Sequence, residues 1–508
     1  MPRYKPNEQD QMMLIPVNFS EQLIPGTFEY AINDIIDNHT DLSVFDSRYN
    51  NDEKGACAIL PAILLKIILF AYSKGILSSR KIEEACLYHI IFKALSGNTT
   101  PDHSTISDFI SSMKDYILPL FRDILILCAQ LDLVGGEVFA LDGCKLSSNA
   151  AKEWSGTFAD LEKKKKKLEA TLKMFVQKHE DNDKSTESVL DYKTQIEKYK
   201  ENIKKINDFL KNNEKKVSKR GRESKSNITD NESAKMISPH GMIQGYNGVA
   251  LVDSKCQIIV HSEAFGQNSE HDFLAPMIEG SKQNLKDNDL FKNKKVIADT
   301  NYYSEDNFKY LADEKIDGYI PDTYYRQRDP RFPEKNLYRK SKNLYSKEDF
   351  TYIENENKYL CPAGEKLHYD GKASPHGYKG KRYRTWKNVC CKCLKQNKCL
   401  RKGSSRRSLF ITEEKPNRTH AAKMVEKMDT KEGRQIYSMR MGIVEPVFAN
   451  IRHNKNMNRF TLRTKEKVNV QWLLYSIVHN IEKIVNFGWN KYVKRKEPEI
   501  DIKKLSYI

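Results

Sequence analysis

The sequence lacks a run of apolar residues long enough to cross a membrane. Its longest, ILPAILLKIILFAY over 59–72, is interrupted by Lys66 and falls short of the roughly 20 residues a bilayer demands. It reads as a core helix, and no membrane partner is expected. The opening MPRYKPNEQDQMML is polar and has no apolar segment of the secretory kind, so export is not expected either. The ten cysteines are then expected to be reduced, as in a cytoplasmic protein. Acidic charge is in deficit: 68 Asp and Glu stand against 85 Lys and Arg, a net +17. Such an excess favours a polyanionic partner through counterion release from phosphates; a lysine-rich solubilising surface is the alternative. At 508 residues the chain is too long for one core, and several units are expected.

What is present divides into stretches. Residues 1–135 read as an N-terminal helical domain. Leu60, Leu64, Ile67 and Ile68 recur at helical spacing, Gly75 ends that run, and 78–95 continues the pattern after a serine cap. In 101–131, Asp102 or Ser104 can cap a helix whose buried stripe is Ile106, Phe109, Ile110 and Met113. Short helices and tight turns suit a helix-turn-helix DNA reader, and equally an ordinary bundle. Residues 136–155 hold a first strand, FALDG. Residues 156–227 read as a helical hairpin and a basic linker. Phe158, Leu161, Leu168, Leu172 and Phe175 make one arm's stripe; Val189, Tyr192, Ile196, Tyr199, Ile203, Ile206 and Leu210 make the other's, with a polar turn at 179–188. The arms suit an antiparallel coiled coil. Residues 228–322 give a strand pair at 242–253 and 257–266, a helix, a buried strand ending in Asp299, a helix capped by Ser304, and a short strand at 317–322. Residues 323–430 are polar, basic, aromatic and cysteine-bearing. Residues 431–508 return to helix. The order predicts an α/β fold around a mixed sheet flanked by helices.

Two aspartates, Asp142 in FALDG and Asp299 in VIADT, sit where apolar strands deliver them. A carboxylate in such flanks must be paired or bind a cation. Two on neighbouring strands, with one further acid, suit Mg²⁺ or Mn²⁺ and in-line attack at phosphorus. Each alone also reads as a turn residue, Asp142 above all because Gly143 follows it. Glu445 is the third acid, with Tyr437 and Arg440 before it and Arg452 two helical turns after it. A surface charge laced with salt bridges is the alternative there. Pro446 implies a kink or a fresh start in that helix.

At these residues the chain resembles bacterial insertion-sequence transposases of the DDE type, in the branch with a helical insertion after the first Asp and a cysteine-bearing insertion before the Glu. The resemblance is carried by LPAILLKIILFAYSKGILSSRKIEE and PDHSTISDF, by ALDGCKLSSNA, by MIQGYNGVALVD with its QGYN tetrad, and by IADTNYYSEDN. It continues in YSMRMGIVEPVFANIRHN and RFTLRTKEKVNVQWLLYSIVHNIEKI. It implies an RNase H-like core in which Asp142, Asp299 and Glu445 bind divalent metal and catalyse cleavage of element ends and strand transfer into target DNA. It also implies double-stranded DNA as partner, a homodimer, and nucleoid association. Tyr437, Arg440 and Glu445 match a Tyr–Arg–Glu–Lys signature with one extra residue between Arg and Glu, and Arg452 stands in the Lys position. A non-catalytic, domesticated DNA-binding protein and a stand-alone nuclease are the alternatives.

Arg440, Arg452, Lys455 and Arg459 are the expected phosphate contacts, with RKGSSRR (401–407) and the lysines of the hairpin as further ones. Cys390-x2-Cys393 with Cys361 and Cys399 suits a Cys₄ zinc site, though a second C-x2-C half is missing and Cys391 disturbs the register. Cys57, Cys86, Cys128, Cys144 and Cys256 read as small core residues. His479 and Asn480 belong to the C-terminal helix and can be purely structural.

Overall fold

The computed structural model describes residues 16–49, 57–181, 189–217, 221, 223–238, 241–332, 344–373, 379–400, 403–413 and 419–494. They form two units: Met1–Tyr302 with Glu314–Gly318 and Ser438–Ile508, and Tyr303–Asp313 with Tyr319–Tyr437. Residues 182–188 of the turn expected at 179–188, and Arg401 and Lys402 of the basic run, lie outside the described residues, as do the side chains of Val189 and Tyr192.

The first unit opens with helices α1 (Phe28–Asn38), α2 (Pro61–Ser73), α3 (Ser79–Tyr88), α4 (Ile90–Ser96), α5 (His103–Ser111) and α6 (Ile117–Gln130). In α2 the expected Leu64, Ile67 and Ile68 are buried, but Leu60 is 65% exposed because Pro61 takes the first helical position. Lys66, which interrupts the apolar run, is itself buried and meets Asp37 at 2.6 Å; an ammonium taken from water needs that partner. The helix expected over 78–95 is two helices. They break at His89, whose backbone is extended and whose Nδ1 accepts from the Ile91 amide at 3.2 Å, capping α4. Of the two caps expected for α5, Asp102 is the one used, accepting from the Ser104 and Thr105 amides. Ile106, Phe109, Ile110 and Met113 are buried as their spacing required.

The central sheet holds β1 (Val138–Ser147), β4 (Ala234–Ser238), β5 (Gly241–Asp253), β6 (Ile259–Phe265), β7 (Lys295–Ala298) and β8 (Asp317–Tyr319), while β2 (Ser155–Gly156) and β3 (Ser226–Asn227) pair with each other. Its order is β4-β5-β1-β7-β8, with β6 also on β5. The β1–β5 pairing is antiparallel and β1–β7 is parallel, the mixed sheet that the strand order called for. Strand β4 had no clear signal: its AKMIS alternates weakly and buries only Met236. Three residues of the QGYN tetrad in β5 have local reasons. Gln244 bonds Ser155 and Ser233, and Tyr246 donates to Asp230. A Cβ on Gly245 would stand 2.0 Å from the Leu146 carbonyl oxygen.

Between β2 and β3 run α7 (Phe158–Asp181) and α8 (Val189–Asn212). They pack antiparallel at their base, around Phe158, Leu161, Ile206 and Phe209, with Leu168 and Leu210 half-buried beside them. Phe175 meets Tyr199 further along. No described helix is long and apolar enough to cross a membrane.

The second unit contains a five-stranded antiparallel sheet of β9 (Thr351–Ile353), β10 (Lys358–Leu360), β11 (Lys366–Ala373), β12 (Gly380–Arg384) and β13 (Ser408–Thr412). Its core is Phe350, Leu367, Tyr383 and Leu409. These short polar strands gave no period to read in the sequence.

Helix Lys431–Ala449 carries Glu445, and helix Lys465–Lys483 follows. Pro446 neither stops nor restarts the first of these. A proline there removes the bond to the carbonyl four residues back, that of Gly442. Gln257 Nε2 donates to that carbonyl instead, at 2.8 Å, and a π-helical turn at Asn450–Asn454 follows.

Candidate active site

The site begins with strand register. Phe139, Ala140 and Leu141 in β1 and Val296, Ile297 and Ala298 in β7 are all fully buried. The two strands run parallel with Leu141 opposite Ala298. The next residue of each is an acid, so Asp142 and Asp299 occupy equivalent positions on adjacent central strands. Asp142 is not a turn residue, because β1 continues to Ser147. Asp299 directly follows the last residue of β7 and accepts the Thr300 amide at 2.6 Å.

The Asp142 carboxyl is largely buried. It accepts the Gly143 amide at 2.9 Å and the Arg440 guanidinium at 2.6 Å. Burial pushes its pKa up to about 6; Arg440 opposes that shift and the Asp299 charge adds to it. Arg440 also stands 3.9 Å from Glu445, whose carboxylate is exposed. One guanidinium therefore links the first and third acids, despite the extra residue between Arg440 and Glu445. Among the described residues no three His, Cys, Asp or Glu side chains are gathered so as to hold a metal ion. Asp142, as it stands, is neutralised by Arg440.

The expected phosphate contacts separate. Arg459 is exposed and donates to Asn149 at 3.1 Å, and Arg463, not singled out in the sequence, donates to the Asn149 carbonyl. Arg452 lies in the π-helical turn, and its charge opposes the burial that pushes the Cys144 thiol up to about 12. Its Nε is buried without a partner among the described residues. Lys455 is turned inward. It is 1% exposed and bonded to Glu482 at 2.6 Å and to Asn450 at 2.9 Å, so its ammonium serves the fold and not a phosphate. His479 and Asn480 are structural. Asn480 spans the Ile259 amide and carbonyl, and burial lowers His479 to about 3.

Sequence reasoning missed Glu270, Asn247 and Asn301. Glu270 is buried and accepts from Asn247 Nδ2 at 2.8 Å and Asn301 Nδ2 at 3.1 Å. It lies in QNSEH, a polar stretch with neither helix nor strand period; only its neighbour in the QGYN tetrad offered a signal.

In the second unit Cys361, Cys390, Cys393 and Cys399 line one pocket, and Cys391, exposed, does not. The Glu365 amide donates to Cys361 Sγ at 3.3 Å and the Arg407 amide to Cys390 Sγ at 3.4 Å. Of the other five cysteines, Cys86, Cys128 and Cys144 are buried as expected. Cys57 is exposed and Cys256 only half-buried, because Cys57 precedes α2 and Cys256 sits in the turn between β5 and β6.

Two protein-family profiles match the chain. One, described as a transposase domain (DUF772), covers residues 17–112; the other, described as a transposase DDE domain, covers 360–485. The second span includes the pocket's four cysteines, Arg440 and Glu445, and leaves Asp142 and Asp299 outside it. No curated protein matches significantly.

Proposed function

We propose that this chain, matched in part by two transposase-domain profiles, is an insertion-sequence DDE transposase that cuts the ends of its element and joins them to target DNA at Asp142, Asp299 and Glu445. The observation that carries this reading is the register that sets Asp142 beside Asp299, with Arg440 reaching Asp142 and Glu445 from one helix. An RNase H-like core fits the mixed sheet. The donor set, three carboxylates with one largely buried, suits Mg²⁺ or Mn²⁺. When bound, such ions activate water and stabilise the leaving oxygen.

The chain's own residues prepare that chemistry. Buried strand ends hold Asp142 and Asp299 at fixed height, and burial makes Asp142 costly to leave as an unpaired anion. Arg440 offsets this cost in the free protein. On DNA it turns to a phosphate, which a guanidinium matches in shape and charge, and so frees Asp142. Arg459 and Arg463, exposed and bonded to Asn149, contact the DNA backbone beside the cut. No serine or tyrosine nucleophile is required. Handling two ends calls for a homodimer. The thiols of Cys361, Cys390, Cys393 and Cys399 are the donor type and number for a structural zinc, and they line one pocket.

The test is a Mg²⁺-dependent assay on DNA flanking the gene. Cut and joined products from the native chain, and neither from Asp142→Ala, Asp299→Ala or Glu445→Ala with end binding retained, are expected. End binding without any metal-dependent cutting would instead identify a non-catalytic DNA-binding protein. Cutting that never yields joined DNA would identify a nuclease.

A further inference from the structure

We propose that Glu270 is a positioning residue of this active site, bracing the two aspartate strands from behind; this rests on the acid assignment above. Asn247 lies on β5 three residues before Ala250, the partner of Asp142. Side chains alternate along a strand, so Asn247 projects on the face opposite Asp142. On that side Glu270 is 6% exposed.

Both oxygens of Glu270 are engaged: Asn247 donates to one and Asn301 to the other. Asn301 is two residues past Asp299. One carboxylate thus ties the strand beside Asp142 to the turn that carries Asp299. Gly143 makes room for the tie, since a Cβ there would stand 2.7 Å from Asn247 Oδ1. Buried Tyr302 is surrounded by the same charges. Burial raises its pKa most, and Glu270, Asp142 and Asp299 all push the same way.

The residue type follows from the donors. Two amide N–H₂ groups converge, and a carboxylate is acceptor at both oxygens. A glutamine would aim its own N–H₂ at one of them. The negative charge also adds to the potential that a divalent ion meets at the acids on the other face.

The full-length protein tests this with Glu270→Ala, Glu270→Gln, and Glu270→Gln combined with Asn301→Asp, which restores the pairing with donor and acceptor exchanged. Four quantities are measured: Mn²⁺ affinity from its free-ion resonance signal, single-turnover cleavage of DNA flanking the gene, binding to that DNA, and the thermal midpoint. Glu270→Ala is expected to weaken Mn²⁺ binding and slow cleavage by about ten- to a hundredfold, the range for residues that orient metal ligands, with DNA binding unchanged. Glu270→Gln, which keeps volume and fold, should show a smaller loss of the same kind, and the double variant should recover most of it. Native Mn²⁺ affinity and cleavage in both single variants would overturn the proposal. So would losses that follow the thermal midpoint alone and are not rescued. Asp142→Ala in parallel separates the two readings. If it is inactive while the Glu270 variants are native, only the brace is wrong; if it too cleaves normally, the acid assignment is wrong.

Discussion

The two sheets of this chain handle polar groups in different ways. In the central sheet Phe139, Leu141, Val249, Leu251, Val296 and Ile297 are all fully buried. Acids appear where the apolar runs of β1 and β7 give out. The five-stranded sheet encloses four buried side chains, and Cys361 and Cys399 pack against them. A deep apolar core can hold a carboxylate at its edge with its pKa raised and its position fixed. A shallow one has too little hydrophobic burial for that, and beside it four cysteines line one pocket. The first sheet brings two acids to the edge of a deep core, and the second gathers four cysteines around one pocket.

The comparison breaks most visibly at the acids. Asp142→Ala should lower end cleavage by about a thousandfold or more while the thermal midpoint barely falls, since the substitution also relieves a buried charge; single-turnover cleavage beside calorimetry checks both. Next in size, Cys393→Ser should remove about one bound zinc per chain and destabilise the second sheet by several kcal/mol, read by metal analysis and by proteolysis within 344–413. A variant that keeps its fold and shows no lost metal would make that sheet self-sufficient. Leu141→Ala should cost about 2–5 kcal/mol and Leu409→Ala less, because a shallow core collapses more easily around a truncated side chain. Denaturant melts of both variants compare the two cores directly, and an equal cost would erase the distinction. The smallest effect is in pH. Asp142 is protonated below about 6, and a metal ion must displace that proton. Mn²⁺ affinity should therefore be flat above pH 6 and fall by up to about tenfold per unit below it. Arg440→Gln should move this break upward, because Arg440 holds the value down.

The difference between the sheets also explains what could be read in advance. The strands leading to Asp142 and Asp299 were legible because Phe139–Leu141 and Val296–Ala298 are short apolar runs; each acid alone also read as a turn residue, and their grouping with Glu445 came from the resemblance. Glu445 was legible only through its arginine neighbours, since its own exposure marks nothing. Glu270 was hidden, because Asn247 and Asn301 meet it only in the fold. Lys455 misled for the converse reason. In sequence it sits among cations, and in space it faces Glu482. The five-stranded sheet went unread because strands such as TYI and KYL are too short and too polar to show an alternation.

The Gln257–Gly442 bond has a consequence for where the third acid stands. An ordinary helix keeps its own internal ruler, each turn spaced by its own backbone bonds. Pro446 deletes one graduation just after Glu445, and the missing bond is supplied from the turn between β5 and β6. Gln257 also takes Lys483 at 2.6 Å and, through its carbonyl, His479 at 2.9 Å. The height of Glu445 is thereby surveyed from the sheet that carries Asp142 and not along the helix alone.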